Sequence, residues 1–334
     1  MELIGIEVKE KQKINKIKTR YQQEINFQFQ VKKENNKFIF PLDSNISKEK
    51  LEEIKKDEEI ILLKLIKFSK KTDHLKKEKI GKILIIKETC LELSNFDFLS
   101  NLLKHENVET ILSRDPKGSS GEFKLTKYNF IFGKNTRETI YEENNLKFKI
   151  DIENVFYSSK LYSDRKRISK LIKKEEKILI CFCGYGEFIC CLYKNPKKII
   201  GIDLNKKAIE YAKFNLKLNK MEENCILLNE DIFQKKFDEE IFDRIVIPQL
   251  LYKDLDMTKL FIDHLSLNMK LNTKIHIYDH LNKNEIEIKK EKIIEWFDEK
   301  KFRIEIEYYL AGNIGNDFYR ICFDIEIISP FNSY

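Results

Sequence analysis

The chain has 334 residues, of which 42% are hydrophobic and 35% are charged, and its net charge is +7. Because a domain averages roughly 150 residues, this length predicts two or three domains, with enough apolar material for packed cores. No uncharged run approaches the roughly 18 apolar residues that a membrane-spanning helix needs, which excludes a protein of that kind. The excess of Lys and Arg is a modest bias toward polyanions such as nucleic acid.

The cysteines indicate a reducing environment. There are 7 of them, an odd number, and none forms a C-x-x-C pair or stands near a His at metal-ligand spacing. We therefore expect no disulfide and no metal site. The first residues lack the pattern of a signal peptide. We expect a cytoplasmic protein, and the nucleus and the mitochondrial matrix are also compatible with the sequence.

The first region, residues 1–72, is typical of a small α+β domain. Residues 25–31 alternate between apolar and polar side chains, which predicts a strand. Further strands are predicted at 37–41 and 60–65, with a helix between them. Residues 67–87 are rich in Lys and polar, and we expect them to form a flexible linker.

The second region, residues 80–165, has the pattern of another small α+β domain. Apolar runs at 83–86 and 108–112 predict strands, and a helix is expected near 96–105. A Gly-Ser-Ser-Gly turn at 118–121 is followed by several further strands.

The third region, residues 166–334, alternates apolar strands with helical segments, which predicts a parallel sheet wrapped by helices. The strands are expected at 177–182, 198–203, 225–228, 242–247 and 273–278. A helix at 285–298 and two strand-like runs, 301–309 and 318–327, complete the region. The last two runs suit an antiparallel hairpin at the edge of the sheet, so the predicted fold is α/β and Rossmann-like, with a mixed sheet.

Gly184 and Gly186 stand between the first predicted strand of this sheet and a helix, where the backbone can approach a ligand closely. Asp203 ends the next strand, and a carboxylate there can accept hydrogen bonds from the ribose hydroxyls of a nucleoside. Asp231 follows the third strand and could meet an adenine amino group. A dinucleotide would suit the same positions, but Cys190 replaces the third glycine of that fingerprint. The pattern favours S-adenosylmethionine.

Several short segments follow one another in a fixed order along the chain. They are Gly121-Glu122-Phe123-Lys124, Thr136-Arg137-Glu138-Thr139, Lys147-Phe148-Lys149-Ile150-Asp151, Val155-Phe156-Tyr157-Ser158, Asp164-Arg165-Lys166-Arg167-Ile168, Cys181-Phe182-Cys183-Gly184-Tyr185-Gly186-Glu187-Phe188, Ile202-Asp203-Leu204-Asn205 and Ile275-His276-Ile277-Tyr278. This set resembles the archaeal and eukaryotic tRNA guanosine-37 N1-methyltransferase family, a group of class I methyltransferases. The resemblance runs from about residue 80 to 327.

The resemblance implies methyl transfer from S-adenosylmethionine to N1 of a guanine beside the anticodon of tRNA. It assigns Asp164 as the general base, Lys124 to the guanine O6, and Phe156 to a position that is Tyr in the family. The cofactor contacts that it implies are Arg165, Gly184, Gly186, Asp203, Leu204, Asp231, Ile232 and Pro248.

The resemblance also predicts the role of each domain and the partner. Residues 1–72 would be an accessory tRNA-binding domain, 80–165 a middle domain that contributes to RNA binding and to the active site, and 166–334 the cofactor-binding domain. The expected partner is tRNA, bound by a monomer without a membrane or a metal.

Four positions depart from the family pattern. Ile180 replaces an acid at the end of the first strand, and Pro248 replaces an Asn after the fourth, so it lacks even a backbone donor. Asp164 is one methylene shorter than the Glu of the family, and Lys124 lacks the planar fork of Arg.

Two alternatives stay open. The related enzyme of wybutosine synthesis uses the same cofactor but transfers an aminocarboxypropyl group to a modified guanine in the same loop. It also lacks the Asn that Pro248 replaces. A tRNA-binding paralogue with impaired catalysis is the second alternative, and Ile180, Pro248 and Lys124 motivate it.

Overall fold

The computed structural model describes residues 2–8, 14–26, 31–34, 37–57, 60–67, 77–86, 96–121, 123, 125–238, 240–248 and 256–330. Lys124 lies outside these ranges, as do residues 27–30 and 249–255. No helix of the described chain combines the length and apolarity that are needed to cross a membrane.

One compact unit comprises Met1–Lys77 and Lys87–Leu99. Its antiparallel sheet has the strand order β2-β3-β1-β4. The elements are β1 (Glu2–Val8), α1 (Ile14–Arg20), β2 (Lys32–Glu34), β3 (Lys37–Pro41), α2 (Lys48–Lys55) and β4 (Ile60–Lys67). Helix α2 begins at Ser47, whose hydroxyl accepts the Lys50 N–H at 3.2 Å. Ile6, Ile17 and Phe40 are fully buried at the centre of this unit.

The predicted strands at 37–41 and 60–65 are confirmed as β3 and β4. The strand predicted at 25–31 is not formed at its start, because Ile25 makes only an isolated antiparallel bridge to Leu42. Residues 27–30 of that prediction lie outside the described residues.

The second unit comprises Glu78–Ile86 and Ser100–Tyr334. A small sheet has the order β5-β6-β7-β8, and β9 pairs with β10 in a separate hairpin. The elements are β5 (Lys77–Ile80), β6 (Ile83–Ile86), β7 (Thr110–Ser120), β8 (Leu125–Gly133), β9 (Glu138–Glu143) and β10 (Leu146–Asp151), and α3 (Phe96–Glu106) precedes β7. Asn144 and Asn145 turn the hairpin with φ of 52° and 64°, as a two-residue turn with a right-handed twist requires.

The linker predicted at 67–87 is wrong for its last part, because β5 and β6 both fall within it. Strand β5 lies at the edge of its sheet, and three of its four residues are at least partly exposed. An exposed edge accepts charged side chains, so the Lys-rich composition does not prevent a strand there.

The largest sheet has seven strands in the order β13-β12-β11-β14-β15-β17-β16. The first five strands are parallel to one another. At one edge of the sheet, β17 runs antiparallel to both of its neighbours, β15 and β16. The elements are α4 (Tyr162–Leu171), β11 (Lys177–Cys181), α5 (Glu187–Leu192), β12 (Lys198–Ile202), α6 (Lys206–Leu218), β13 (Cys225–Leu228), β14 (Arg244–Ile247), α7 (Met257–Leu265), β15 (Lys274–Asn282), α8 (Ile286–Glu299), β16 (Phe302–Gly315) and β17 (Phe318–Pro330).

Apolar cores cover both faces of this sheet. Ile180, Phe188 and Tyr278 belong to the core that α4, α5 and the β9–β10 hairpin share, whereas Leu179 and Phe261 belong to the core under α7 and α8. Burial on both faces explains why β11 and β12 are continuous apolar runs. The face with α4 and α5 carries the site described next.

The α/β fold predicted for the third region is confirmed, including the mixed seven-stranded sheet and the antiparallel pair at its edge. The helix predicted at 285–298 is α8. The boundaries predicted for the three domains, at 1–72, 80–165 and 166–334, stay a prediction.

Candidate active site

The carboxyl end of β11 leads into a glycine turn before α5. Gly184 and Gly186 have φ of 55° and 88°, a conformation in which side chains are strained. A Cβ on Gly186 would lie 3.3 Å from Ala212 of α6, whereas a Cβ on Gly184 would meet nothing within 4 Å. Gly186 therefore permits close packing of the two helices, and Gly184 leaves space at the edge of the sheet.

Asp203 follows β12, the strand beside β11. Its two carboxylate oxygens accept the backbone N–H of Gly184 and of Asn205, each at 2.8 Å. Burial raises the pKa of Asp203, and the two N–H donors oppose that rise. Each oxygen retains capacity for a second hydrogen bond. The carboxylate can therefore accept further hydrogen bonds, and its predicted contact with a ribose stays a prediction.

Asp231 lies in the loop after β13, where its Oδ1 accepts the Phe233 N–H at 3.0 Å. Asn229 donates from Nδ2 to the backbone oxygens of Asp203 and Leu204, at 3.1 and 2.9 Å, and so joins the ends of β12 and β13. Six of the predicted cofactor residues follow the carboxyl ends of three adjacent strands: Gly184, Gly186, Asp203, Leu204, Asp231 and Ile232.

Arg165 of α4 is fully buried and links the β9–β10 hairpin to the glycine turn. Its Nε and Nη2 donate to the two oxygens of Glu143 at 2.8 and 2.6 Å, and its Nη1 donates to Glu187 at 2.7 Å. Burial opposes its charge, but the two carboxylates outweigh that effect and raise the pKa of Arg165. The guanidinium therefore holds Glu187, which begins α5 directly after Gly186.

Glu187 leaves one acceptor unused. Its Oε2 is buried and makes no hydrogen bond of normal length, although the neighbouring Tyr185 hydroxyl, which also bonds to Tyr141 at 2.8 Å, acts to lower the pKa of Glu187. Burial raises the pKa of Glu187, because nothing fully compensates its desolvation. An ammonium group would satisfy this oxygen. The chemistry of these groups thus fits S-adenosylmethionine, since a carboxylate can accept hydrogen bonds from ribose hydroxyls and from an ammonium group.

Asp164 precedes Arg165 and is 4% exposed. Arg167 donates from Nε to its Oδ1 at 2.5 Å, and the Tyr278 hydroxyl donates to its Oδ2. Burial raises the pKa of Tyr278 well above its usual range, so this hydroxyl stays a neutral donor. Both carboxylate oxygens are oriented by these bonds, and each keeps a lone pair that can accept a proton.

The hydrogen bonds continue away from Asp164 through the core. Arg167 also pairs with Asp324, which accepts the His276 Nδ1–H at 2.7 Å, and Arg244 donates to His276 Nε2 at 2.6 Å. Burial lowers the pKa of His276, which keeps the ring neutral. Burial would raise the pKa of Asp324, but His276 and Arg167 outweigh it and hold that pKa well below its usual range. The network fixes the position of Arg167 behind Asp164.

His276, Cys322 and Asp324 place three possible metal-ligand atoms within 4.8 Å of one another. However, both oxygens of Asp324 are bonded to Arg167, and His276 is bonded to Arg244. Two adjacent guanidinium groups disfavour a further cation. This cluster is therefore structural, and it supports the α4 face of the site.

The remaining predicted residues have different surroundings. Phe156 is 37% exposed in the segment that leads to α4. Pro248 is buried directly after β14, and Ile180 is fully buried within β11. Lys124 lies outside the described residues, so its predicted contact with a guanine stays a prediction.

The sequence did not reveal the partners of these residues. Tyr278 and Glu187 occurred only as members of motifs, and Arg320 was not singled out. One signal was present: β17 alternates between the polar or small residues Arg320, Cys322 and Asp324 and the apolar residues between them. Polar side chains on one face of a strand that is apolar on the other indicate a polar cavity.

The fold and the site define a class. A parallel sheet that ends in an antiparallel pair, a glycine turn after β11 and an acid after β12 identify a class I S-adenosylmethionine-dependent enzyme. The TRM5/TYW2 methyltransferase domain matches residues 139–307. The chain belongs to this family, whose cofactor is S-adenosylmethionine.

The chain is similar to two curated relatives and, in its fold, to a solved structure. The chain is 27% identical over 308 residues to the tRNA (guanine(37)-N(1))/4-demethylwyosine(37)-methyltransferase Taw22 of Nanoarchaeum equitans, covering 75% of this chain and 98% of the relative. It is 30% identical over 194 residues to the tRNA(Phe) (4-demethylwyosine(37)-C(7)) aminocarboxypropyltransferase of Methanocaldococcus jannaschii, covering 56% and 74%. The crystal structure of the M. jannaschii tRNA m1G37 methyltransferase superimposes with a TM-score of 0.61 at 22% identity, covering 98% and 99%.

Proposed function

We propose that this enzyme methylates N1 of guanosine 37 in the anticodon loop of tRNA, with S-adenosylmethionine as the donor. One observation carries the proposal. Asp164 and Arg165 are adjacent on α4, and Arg165 contacts Glu187 at the glycine turn while Asp164 is held by Tyr278 of β15. A buried, oriented carboxylate therefore stands next to the residues that fit the cofactor.

The contacts described above support an assignment of the residues that hold the cofactor. Asp203 accepts the ribose hydroxyls, Asp231 the adenine amino group, and the free oxygen of Glu187 the ammonium group. Leu204, exposed at 42%, and Ile232 offer apolar surface to the adenine. When bound, S-adenosylmethionine supplies an electrophilic methyl group on a sulfonium.

Guanine N1 carries a proton and is a poor nucleophile until a base removes it. Asp164 takes that proton, and the freed electron pair of N1 forms the new bond to the methyl carbon as the carbon–sulfur bond breaks. Arg167 and Tyr278 orient the Asp164 carboxylate for this transfer. Negative charge develops on O6, where a cation stabilises it, and we assign Lys124 to that position by resemblance. Phe156, which is partly exposed, offers an apolar surface to the target base.

The substrate must present its base outside the loop stack, because the carboxylate of Asp164 is buried. We propose that residues 1–72 bind the body of the tRNA, that 80–165 contribute to RNA binding and to the site, and that 166–334 bind the cofactor. A net charge of +7 supports a polyanionic partner. We propose that the enzyme acts as a monomer in the cytoplasm.

Aminocarboxypropyl transfer to the same tRNA position is the second candidate. Pro248 favours it, since a buried proline after β14 provides no backbone donor where the methyltransferases have Asn. The match to an aminocarboxypropyltransferase over 56% of the chain also supports it.

The position of the transferred label distinguishes the candidates. A tRNA transcript with guanosine 37 is incubated with the enzyme and with S-adenosylmethionine that carries the label in the methyl group or in the carboxyl group. Label transfer from the methyl-labelled cofactor alone, absent with adenosine 37, is the expected result. The same assay is run with a tRNA that carries 4-demethylwyosine at position 37, the base named for the aminocarboxypropyltransferase relative. Transfer of the carboxyl label to either tRNA would instead establish the second candidate. Failure of both labels to transfer to either tRNA, with tRNA binding intact, would indicate a catalytically impaired paralogue.

A further inference from the structure

Arg320 of β17 is a buried cation for which the described residues offer no acidic partner. It is 5% exposed, and its Nη1 has no hydrogen-bond partner. Its Nε donates to His280 Nε2 at 3.3 Å. Burial lowers the pKa of Arg320, Tyr278 opposes that shift, and the positive charge of Arg165 adds to it. No carboxylate of the described chain neutralises it.

The other buried or half-buried arginines of this face differ in that respect. Each pairs with a carboxylate: Arg165 with Glu143, Arg167 with Asp324, and Arg244 with Glu176. A buried charge is costly unless it is paired. An unpaired guanidinium beside an active site therefore indicates a place where a ligand supplies the partner.

The register of the sheet places Arg320 close to Asp164. Arg320 pairs with His280 of β15, and Tyr278, which contacts Asp164, lies two residues before His280 on the same face of the strand. Two residues along a strand span roughly 7 Å. On the other side, Arg320 faces Gly312 of β16, where a Cβ would meet nothing but Nη1 at 3.9 Å.

The order of the strands separates Arg320 from the nucleoside site. The nucleoside site lies at the ends of β11, β12 and β13, whereas β15 and β17 follow on the opposite side of β14. Strands are about 4.8 Å apart, so β12 and β17 are separated by roughly 19 Å. Arg320 and the ribose-binding Asp203 therefore serve different ligands or distant parts of one.

We propose that Arg320 binds N7 and one lone pair of O6 on the acceptor guanine and so identifies the base, while the second lone pair of O6 is left for Lys124. The inference rests on the proposed methylation of guanine N1. N1 and O6 are neighbours on the purine, so Asp164 on the N1 side and Arg320 on the O6 side can contact one base. The guanidinium fork matches the two acceptors O6 and N7, and adenine presents a donor where guanine has O6. As N1 loses its proton, charge moves to O6 and strengthens this contact.

The test uses two transcripts, one with guanosine and one with 7-deazaguanosine at position 37, in single-turnover methylation at saturating cofactor. For the wild type we expect the 7-deaza transcript to react roughly tenfold more slowly, because one acceptor of the fork is lost. Arg320→Gln should lower the rate on guanosine by about a hundredfold and react equally with both transcripts. Arg320→Lys should keep part of the rate but lose the N7 dependence.

Arg114→Gln is the control, since Arg114 is exposed and pairs with Glu78. This variant should keep the wild-type ratio between the rates on the guanosine and 7-deazaguanosine transcripts. The melting temperature of Arg320→Gln should not fall, because no carboxylate loses a partner. The inference is overturned if Arg320→Gln slows both transcripts by one factor, which indicates a phosphate contact, or if it weakens only cofactor binding in calorimetry. If the wild type methylates neither transcript, the proposed function fails and takes the inference with it. If the wild type methylates both and Arg320→Gln keeps the N7 dependence, the inference alone fails.

Discussion

Replacing Arg167 with Met should destabilise the enzyme markedly. Arg167 pairs with Asp164 and with Asp324, whose side chains are 4% and 18% exposed, while its own side chain is 23% exposed. Removing the guanidinium leaves both carboxylates in the core without its positive charge. Breaking a buried ion pair costs roughly 3–5 kcal/mol. Partial exposure of Arg167 places the expected cost near about 3 kcal/mol. For a domain of this size, that lowers the melting temperature by roughly 6–12 °C.

Thermal unfolding followed by circular dichroism at neutral pH measures this change. Asp324→Asn removes one charge and keeps an acceptor for the His276 N–H. The Arg167→Met/Asp324→Asn double variant should therefore lose less stability than the sum of the single variants, by about 1 kcal/mol or more. Arg114→Met is the matched control, because its ion pair is exposed and contributes less than about 1 kcal/mol. A melting temperature of Arg167→Met equal to that of the control would refute the reasoning.

Three further predictions concern Asp203 and the glycine turn of the candidate site, and His276 in the core. Asp203→Asn should weaken S-adenosylmethionine binding in calorimetry by roughly 10- to 100-fold, because charge-assisted hydrogen bonds contribute about 1.5–3 kcal/mol each; unchanged affinity would contradict the assignment. Gly186→Ala should lower stability to denaturant more than Gly184→Ala, since both have positive φ but only the Gly186 Cβ would press on Ala212, at 3.3 Å; equal losses would contradict this. The unfolded chain protonates His276 first as the pH falls below the ordinary pKa of 6.5, because burial lowers the folded pKa. The free energy of unfolding should therefore decrease as the pH falls below that value, by up to about 1.4 kcal/mol per pH unit. His276→Gln should flatten this pH dependence, and an unchanged slope would exclude His276 as its source.

The sequence predicted the elements whose pattern is local. Strands β11 and β12 are buried on both faces and appear as apolar runs, and the turn at Gly184 follows from the need for positive φ. Strand β5 was predicted as linker, because a charged strand at a sheet edge has no apolar pattern of its own. Its structure depends on pairing with β6, which composition does not reveal.

The same distinction between local and tertiary features applies to the candidate site. Asp203 and Asp231 were predicted because acids at the ends of successive parallel strands meet at one edge. The bonds of Asp164 to Tyr278 and of Arg320 to His280 were not predicted, because they depend on tertiary contacts of β15 with α4 and β17. Register between strands so far apart in the chain is fixed by packing and has no local signature.

The role of Asp164 is tested most directly by the rate of methyl transfer in a single turnover. Asp164→Asn retains the size of the side chain and removes its basicity, and Asp164→Glu restores the residue of the family. We expect the Asn variant to bind S-adenosylmethionine normally and to methylate guanosine 37 about a hundredfold more slowly or worse, while the Glu variant stays close to the wild type. An Asn variant that transfers the methyl group as fast as the wild type would show that the proton of N1 leaves by another route.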